Sequence, residues 1–152
     1  MGRAGGRGTS PRERSSIALR SPSAVVEAPV VERVTGIGGY FVRSKDPAAL
    51  MRWYVEHLGL TDFATEVWQQ EAGPTVFAPF AADSDAFGRP EQQTMLNFRV
   101  GDLDAMLAQL RTAGADVDDR LDVQDGVGRF GWVTDPEGNR IELWEPAPEA
   151  LR

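Results

Sequence analysis

The sequence contains no cysteine and a single histidine. The first absence excludes disulfides, thiolate metal sites and a cysteine nucleophile, and fits a cytoplasmic protein. The second leaves all imidazole chemistry to His57. No apolar run approaches the roughly 18 residues that span a bilayer, so no membrane partner is expected. Positive charge is also scarce. The formal net charge is −7, and phosphate recognition needs a basic face, so nucleic acid is not expected as a partner either. What remains is a globular composition, 41 % hydrophobic and 26 % charged over 152 residues. That suffices for one domain with a core and is too short for two of ordinary size.

The cations are unevenly spread. From Met1 to about Ala28 the chain is rich in Gly, Ser, Pro and Arg, with Arg3, Arg7, Arg12, Arg14 and Arg20 opposing Glu13. Ile17 and Leu19 are its only sizeable apolar residues before Val25. Such a segment buries too little to offset its ordering entropy, so residues 1–32 are expected to form a disordered tail. It lacks the apolar stretch of about 7–15 residues of a secretory signal. A solvated extension, or a start placed upstream of the true one, is the favoured reading; docking on the acidic domain or on nucleic acid is the alternative.

From Ile37 onward the periodicities become readable. Ile37–Val42 is strand-like, and Asp46-Pro47 is a helix start with an N-cap carboxylate and proline at the first helical position. Leu50, Trp53, Tyr54 and Leu58 recur at helical spacing and Gly59 supplies the stop. Short strands are expected at 61–66, 66–70 and 75–80. The pattern then returns: Met95–Val100 reads as a strand, and Asp102 or Asp104 as a helix start. Leu103, Met106, Leu107 and Leu110 form the apolar face and Gly114 the stop. Strands near 115–121, 128–134 and 140–144 follow, the last two joined by the turn Asp135-Pro-Glu-Gly-Asn139. Each half thus reads strand–helix–strand–strand–strand. The expected fold class is α+β: two βαβββ units forming a mixed, curved sheet around a pocket, each unit covering the face the other leaves open. The domain should run over 33–147, with unit one at about 33–80, a linker at about 81–93 and unit two at about 94–146. Residues 148–152 form a short tail.

Ile37–Leu60, with Asp46, Trp53-Tyr54 and His57-Leu-Gly-Leu60, resembles the first unit of the vicinal-oxygen-chelate superfamily. Phe130–Trp144, a strand–turn–strand ending in Ile141-Glu-Leu143, resembles its closing motif. This superfamily includes glyoxalase I, extradiol dioxygenases, epimerases, fosfomycin-modifying enzymes and bleomycin-sequestering proteins. The resemblance implies paired βαβββ units, frequently completed as a homodimer, and in the enzymes a divalent metal held by four His or Glu side chains. Oxygen and imidazole ligands leave open positions for a substrate that chelates through two adjacent oxygens. The corresponding positions here fall at or next to Gly39, near Phe77 or Ala78, at Met95 and at Glu142. Only Glu142 is a ligand type, so no standard metal site and no cofactor are expected, and a divalent metal is disfavoured. His57, beside the cap glycine, is read as covering the helix C-terminus.

Strand alternation supplies the expected pocket lining. Phe41, Met95, Phe130, Trp132 and Trp144 form apolar and aromatic walls, with Asn97, Arg99, Arg140 and Glu142 as the polar groups. Three readings of Glu142 stand open: a relic paired with Arg99 or Arg140, a recognition group for a cationic or hydroxylated ligand, or a catalytic general base. The segment 80–93 is expected either to cross the pocket mouth, with Phe87 as a lid, or to be a plain linker. Asp116, Asp118, Asp119, Asp122 and Asp125 lack a calcium-loop pattern and read as a solvated edge. Two functions follow. One is a binding protein, similar to the antibiotic-sequestering members, that traps a small organic molecule. The other is a lyase, isomerase or dioxygenase-type enzyme using Glu142 with an atypical metal site or metal-free acid–base chemistry.

Overall fold

The computed structural model describes residues 32–152, so nearly all of the expected tail lies outside the described residues. Two compact units divide after Gly39. Residues 32–39, the described part of the first, are exposed and carry no helix or strand. The second unit, Tyr40–Arg152, holds every helix and strand among the described residues.

Helix α1 spans Pro47–Leu58. Asp46 caps it, its carboxylate accepting the Ala49 N–H at 3.0 Å. Gly59 ends it in a left-handed conformation at φ 71°, which costs glycine no Cβ clash. Helix α2 spans Leu103–Thr112. Of its two candidate caps Asp102 is the one used, accepting the Ala105 N–H at 2.8 Å. Leu50 and Tyr54 of α1 are buried with Leu103, Leu107 and Leu110 of α2 against Val133, Ile141 and Leu143. This is the core, and the spacing of these residues on each helix puts them on one stripe.

The sheet contains β1 (Leu96–Arg99), β2 (Asp116–Val117), β3 (Asp122–Gln124), β4 (Gly128–Thr134) and β5 (Arg140–Pro146). Its order is β1-β5-β4-β2, with β3 also paired to β4. β1 runs parallel to β5 and the other pairs are antiparallel, so the sheet is mixed and the fold class is α+β. The second βαβββ unit is therefore complete, its second strand broken into β2 and β3. Ile141, Leu143 and Val133 face the helices. The alternate residues of the same strands face away from them.

The first of the two expected βαβββ units, at about 33–80, differs from expectation. The strands expected at 37–42, 61–66, 66–70 and 75–80 are absent; α1 is its only regular element among the described residues. A strand needs a neighbour to satisfy its backbone, and β1 pairs only with β5 among the described residues. The chain meets β1 through a side chain instead: Arg99 donates to the carbonyls of Glu71 at 2.7 Å and Ala72 at 3.2 Å. Gly73 permits this, because a Cβ there would overlap the guanidinium. Apolar side chains such as Phe77 (90 % exposed) are left in solvent.

The turn 135–139 does more than reverse the chain. Asp135, 4 % exposed, accepts from the Tyr54 hydroxyl at 3.0 Å, the Asn139 amide at 2.8 Å and two backbone N–H groups. Glu137 accepts from the Ser44 hydroxyl at 2.6 Å and from the N–H groups of Lys45 and Asp46. Both acids thereby tie the turn to α1. No helix among the described residues is long and apolar enough to cross a membrane.

Candidate functional site

The register of β1, β5 and β4 brings the expected polar and aromatic residues into rows on the face away from the helices. One row is Asn97, Glu142 and Trp132; the next is Arg99, Trp144 and Phe130. Arg140 and Thr134 lie opposite one another at the start of β5. Met95 is half-buried and immediately precedes β1.

Glu142 sits at the centre. Its Oε1 accepts from the Asn97 amide at 2.6 Å and its Oε2 from the Trp132 indole N–H at 3.1 Å. Neither arginine expected as its partner pairs with it. Arg99 is turned onto the 71–72 carbonyls. Arg140 bridges to Asp118 at 2.8 Å and lies 5.1 Å from the centroid of the Trp132 ring. Alternation predicts the face of an arginine, but its long side chain chooses among acceptors several ångströms apart.

Trp132 and Trp144 are 6 % and 5 % exposed. Arg120 also stands 5.1 Å from the Trp132 ring centroid, in cation–π range. Phe130 and Trp144 stack nearly parallel, 6.1 Å between centroids and 4° between planes, and the Trp144 N–H donates to the Val127 carbonyl at 3.1 Å. The site is thus an aromatic floor with one hydrogen-bonded carboxylate in it.

Two contributors escape sequence reasoning. Arg120 lies in the break between β2 and β3, with no periodicity to mark it. Asp118, read as part of a solvated acidic edge, is half-buried and partners Arg140. The Arg120 backbone N–H and then the Arg140 guanidinium hold Asp118 below the usual carboxylate range. Phe41 is placed elsewhere. It is 95 % exposed and lines a separate groove, with Tyr40, Arg43, Arg89 and Leu96, that does not include Glu142 or either tryptophan. In the 80–93 segment, Phe87 packs edge-on against Phe80 at 5.2 Å. The Gln92 side chain bonds both the N–H and the carbonyl of Arg140, at 2.7 and 2.8 Å, and so extends the sheet by one amide. His57 packs edge-on against Trp53 at 5.3 Å in the last turn of α1.

The described residues do not fit a four-ligand metal centre. Among the described residues no group of three or more His, Asp or Glu side chains is placed to hold an ion. Both Glu142 oxygens already accept N–H donors.

The profile described as a glyoxalase-like domain matches residues 39–144. Several solved structures are similar. TnmS3, an antibiotic binding protein from Streptomyces sp. CB03234, is 25 % identical, with a TM-score of 0.49 over 77 % of this chain and 100 % of that one. A member of the glyoxalase/bleomycin resistance protein/dioxygenase superfamily from Sphaerobacter thermophilus DSM 20745 is 21 % identical, with a TM-score of 0.45 over 68 % of this chain and 91 % of that one. TioX from Micromonospora sp. ML1 is 22 % identical, with a TM-score of 0.43 over 68 % and 90 %. No curated protein matches the sequence. The profile covers both helices, β1 to β4 and the closing Ile-Glu-Leu strand as far as Trp144, and the chain belongs to the glyoxalase-like domain family of the vicinal-oxygen-chelate superfamily.

Proposed function

We propose that this glyoxalase-like protein binds a small organic molecule against the helix-free face of its sheet, without a metal. The observation that carries the reading is Glu142: a carboxylate amid Trp132, Trp144 and Phe130 that is hydrogen-bonded by neutral donors and, among the described residues, paired with no cation. A ligand with an aromatic body and a cationic or hydroxyl group complements both parts. Its ring replaces Arg120 over Trp132, and its donor reaches the carboxylate. Burying such a ring against tryptophan contributes on the order of 1 kcal/mol beyond the area term.

Benzamidine, a small aromatic cation, is a suitable probe, read by quenching of tryptophan fluorescence. Saturable quenching that weakens at least tenfold in Glu142→Gln is expected; equal affinity in the variant overturns the assignment. Protein purified without chelators is expected to carry no stoichiometric metal. Metal that is present and lost in Glu142→Ala would instead favour the enzyme reading.

The same proposal includes a homodimer. Phe63, Val67, Val76 and Phe77 are exposed in a segment without strand pairing, and β1 has a free outer edge among the described residues. An open strand edge and exposed apolar side chains are each surfaces that another chain can cover.

A further inference from the structure

At the end of the sheet where β1 and β5 begin, a groove of about 400 Å³ is bordered by Tyr40, Arg43, Tyr54, Arg89, Leu96 and Arg140. A second depression adjoins it, sharing Arg43 and Arg89 and adding Lys45. The charge here is opposite to that of its surroundings. Residues 32–152 contain 11 Lys and Arg against 21 Asp and Glu, yet four cations line these two depressions against two acids, Glu91 and Glu137. Glu137 is already engaged by Ser44 and the first N–H groups of the α1 entry.

The cations are also held ready. Among the described residues Arg43, Lys45 and Arg89 form no ion pair. Arg89 bonds the neutral Asn139 side chain at 3.1 Å and lies against Gly138, where a Cβ would stand 3.5 Å from its Nη1. The turn glycine at φ 82° therefore serves as a shelf for the guanidinium. Arg140 passes beside Gly88 and leaves a buried Nε with no hydrogen-bond partner. A guanidinium fork recognises carboxylate and phosphate oxygens through paired N–H donors. The remaining walls, Tyr40, Tyr54 and Leu96, suit an apolar body.

We infer that this groove is a binding site for a small organic oxyanion, an aryl carboxylate or aryl phosphate, whose head group is taken by Arg43 and Arg89. The site shares Arg140 with the Trp132–Glu142 face but takes its head-group donors elsewhere, and it does not rest on the function proposed for that face. Benzoate and phenyl phosphate titrated into the full chain separate the two head groups, with benzyl alcohol as the neutral control. Backbone amide shifts in NMR report the location. Saturable shifts confined to residues 40–45, 54, 89–96 and 139–141 are expected for at least one anion and not for the alcohol. Binding should fall at least tenfold in Arg89→Ala and in Arg43→Ala, and weaken as salt screens the charges. Arg89→Lys keeps the charge without the fork and should lie between. A circular-dichroism melt of each variant establishes that it is folded. No saturable shift from either anion, equal affinity in folded Arg89→Ala and Arg43→Ala, or shifts centred on Trp132 and Glu142 would each overturn the inference. Loss of benzamidine binding in Glu142→Gln with anion binding intact separates the two sites.

Discussion

Tyr54 links the helix layer to the closing turn through its hydroxyl bond to buried Asp135. Burial, then the negative charge of Asp135 and its acceptance of that hydrogen bond, push the phenol far above the ordinary tyrosine value. A raised folded value means that the protonated form is the one stabilised. The contribution is complete below the unfolded pKa of about 10 and declines as pH rises above it, because the unfolded chain can ionise there first. Tyr54→Phe should cost about 1–3 kcal/mol at neutral pH by leaving Asp135 short of a donor. It should also flatten the alkaline part of the stability profile. Urea melts of both proteins between pH 7 and 11 check both effects. Glu137 acts in the opposite direction. Ser44, then the N–H groups of Asp46 and Lys45, hold its carboxyl below the usual range. Its contribution is present above the ordinary glutamate value of about 4.3 and disappears as pH falls through the lowered folded value. Thermal melts between pH 7 and 3 should therefore show Glu137→Gln to be less stable at neutral pH and less sensitive to acid. Neither partnership is legible in the sequence. Asp135 and Glu137 read as turn residues, and the residues they bind lie 81 and 93 positions away.

At the scale of elements, α2 approaches the sheet closely where β4 has no side chain. A Cβ on Gly131 would stand 3.1 and 3.2 Å from the two methyl carbons of Leu107 and 3.4 Å from a methyl carbon of Leu103. Gly131→Ala should push the helix outward and destabilise by about 1–3 kcal/mol, as overpacked cores do; a chemical-denaturation midpoint measures it. The N-terminus of α2 is fastened twice, by Asp102 and by Glu145, which accepts the Leu103 N–H at 2.7 Å. Arg129 bridges Glu145 and Asp104 on the same end. Both helices and the strands β4 and β5 follow from sequence alone, because their signals are local: caps within three residues, apolar stripes within a turn, alternation within a strand. The strands expected in the first half fail for the complementary reason. Alternation is permissive and the ladder that completes a strand is not local, so Val67, Val76 and Phe77 have the pattern without the partner.

For the whole molecule, the exposed apolar segment predicts self-association. Sedimentation velocity should find a dimer, and Phe77→Asp should shift the population toward monomer. Phe77 is 90 % exposed within the chain, so the intrinsic cost of the substitution to the isolated fold should stay within about 0.5 kcal/mol. A monomeric parent protein, or an unchanged dimer in the variant, would count against this surface as the interface.

The amino-acid sequence by itself determined the helices, their caps, the two long strands and which of their residues share a face, since each depends on neighbours a few positions apart. The family followed from the same local patterns, above all the strand–turn–strand ending in Ile141-Glu-Leu143. Only the tertiary structure decided what Glu142 touches. Asn97, 45 residues away, reaches it through the parallel pairing of β1 with β5, and both expected arginines found acceptors nearer to their own guanidinium groups. The clustering of Arg43, Lys45, Arg89 and Arg140 on an acidic protein was likewise invisible in one dimension, because charge complementarity is set by distance in space and not along the chain.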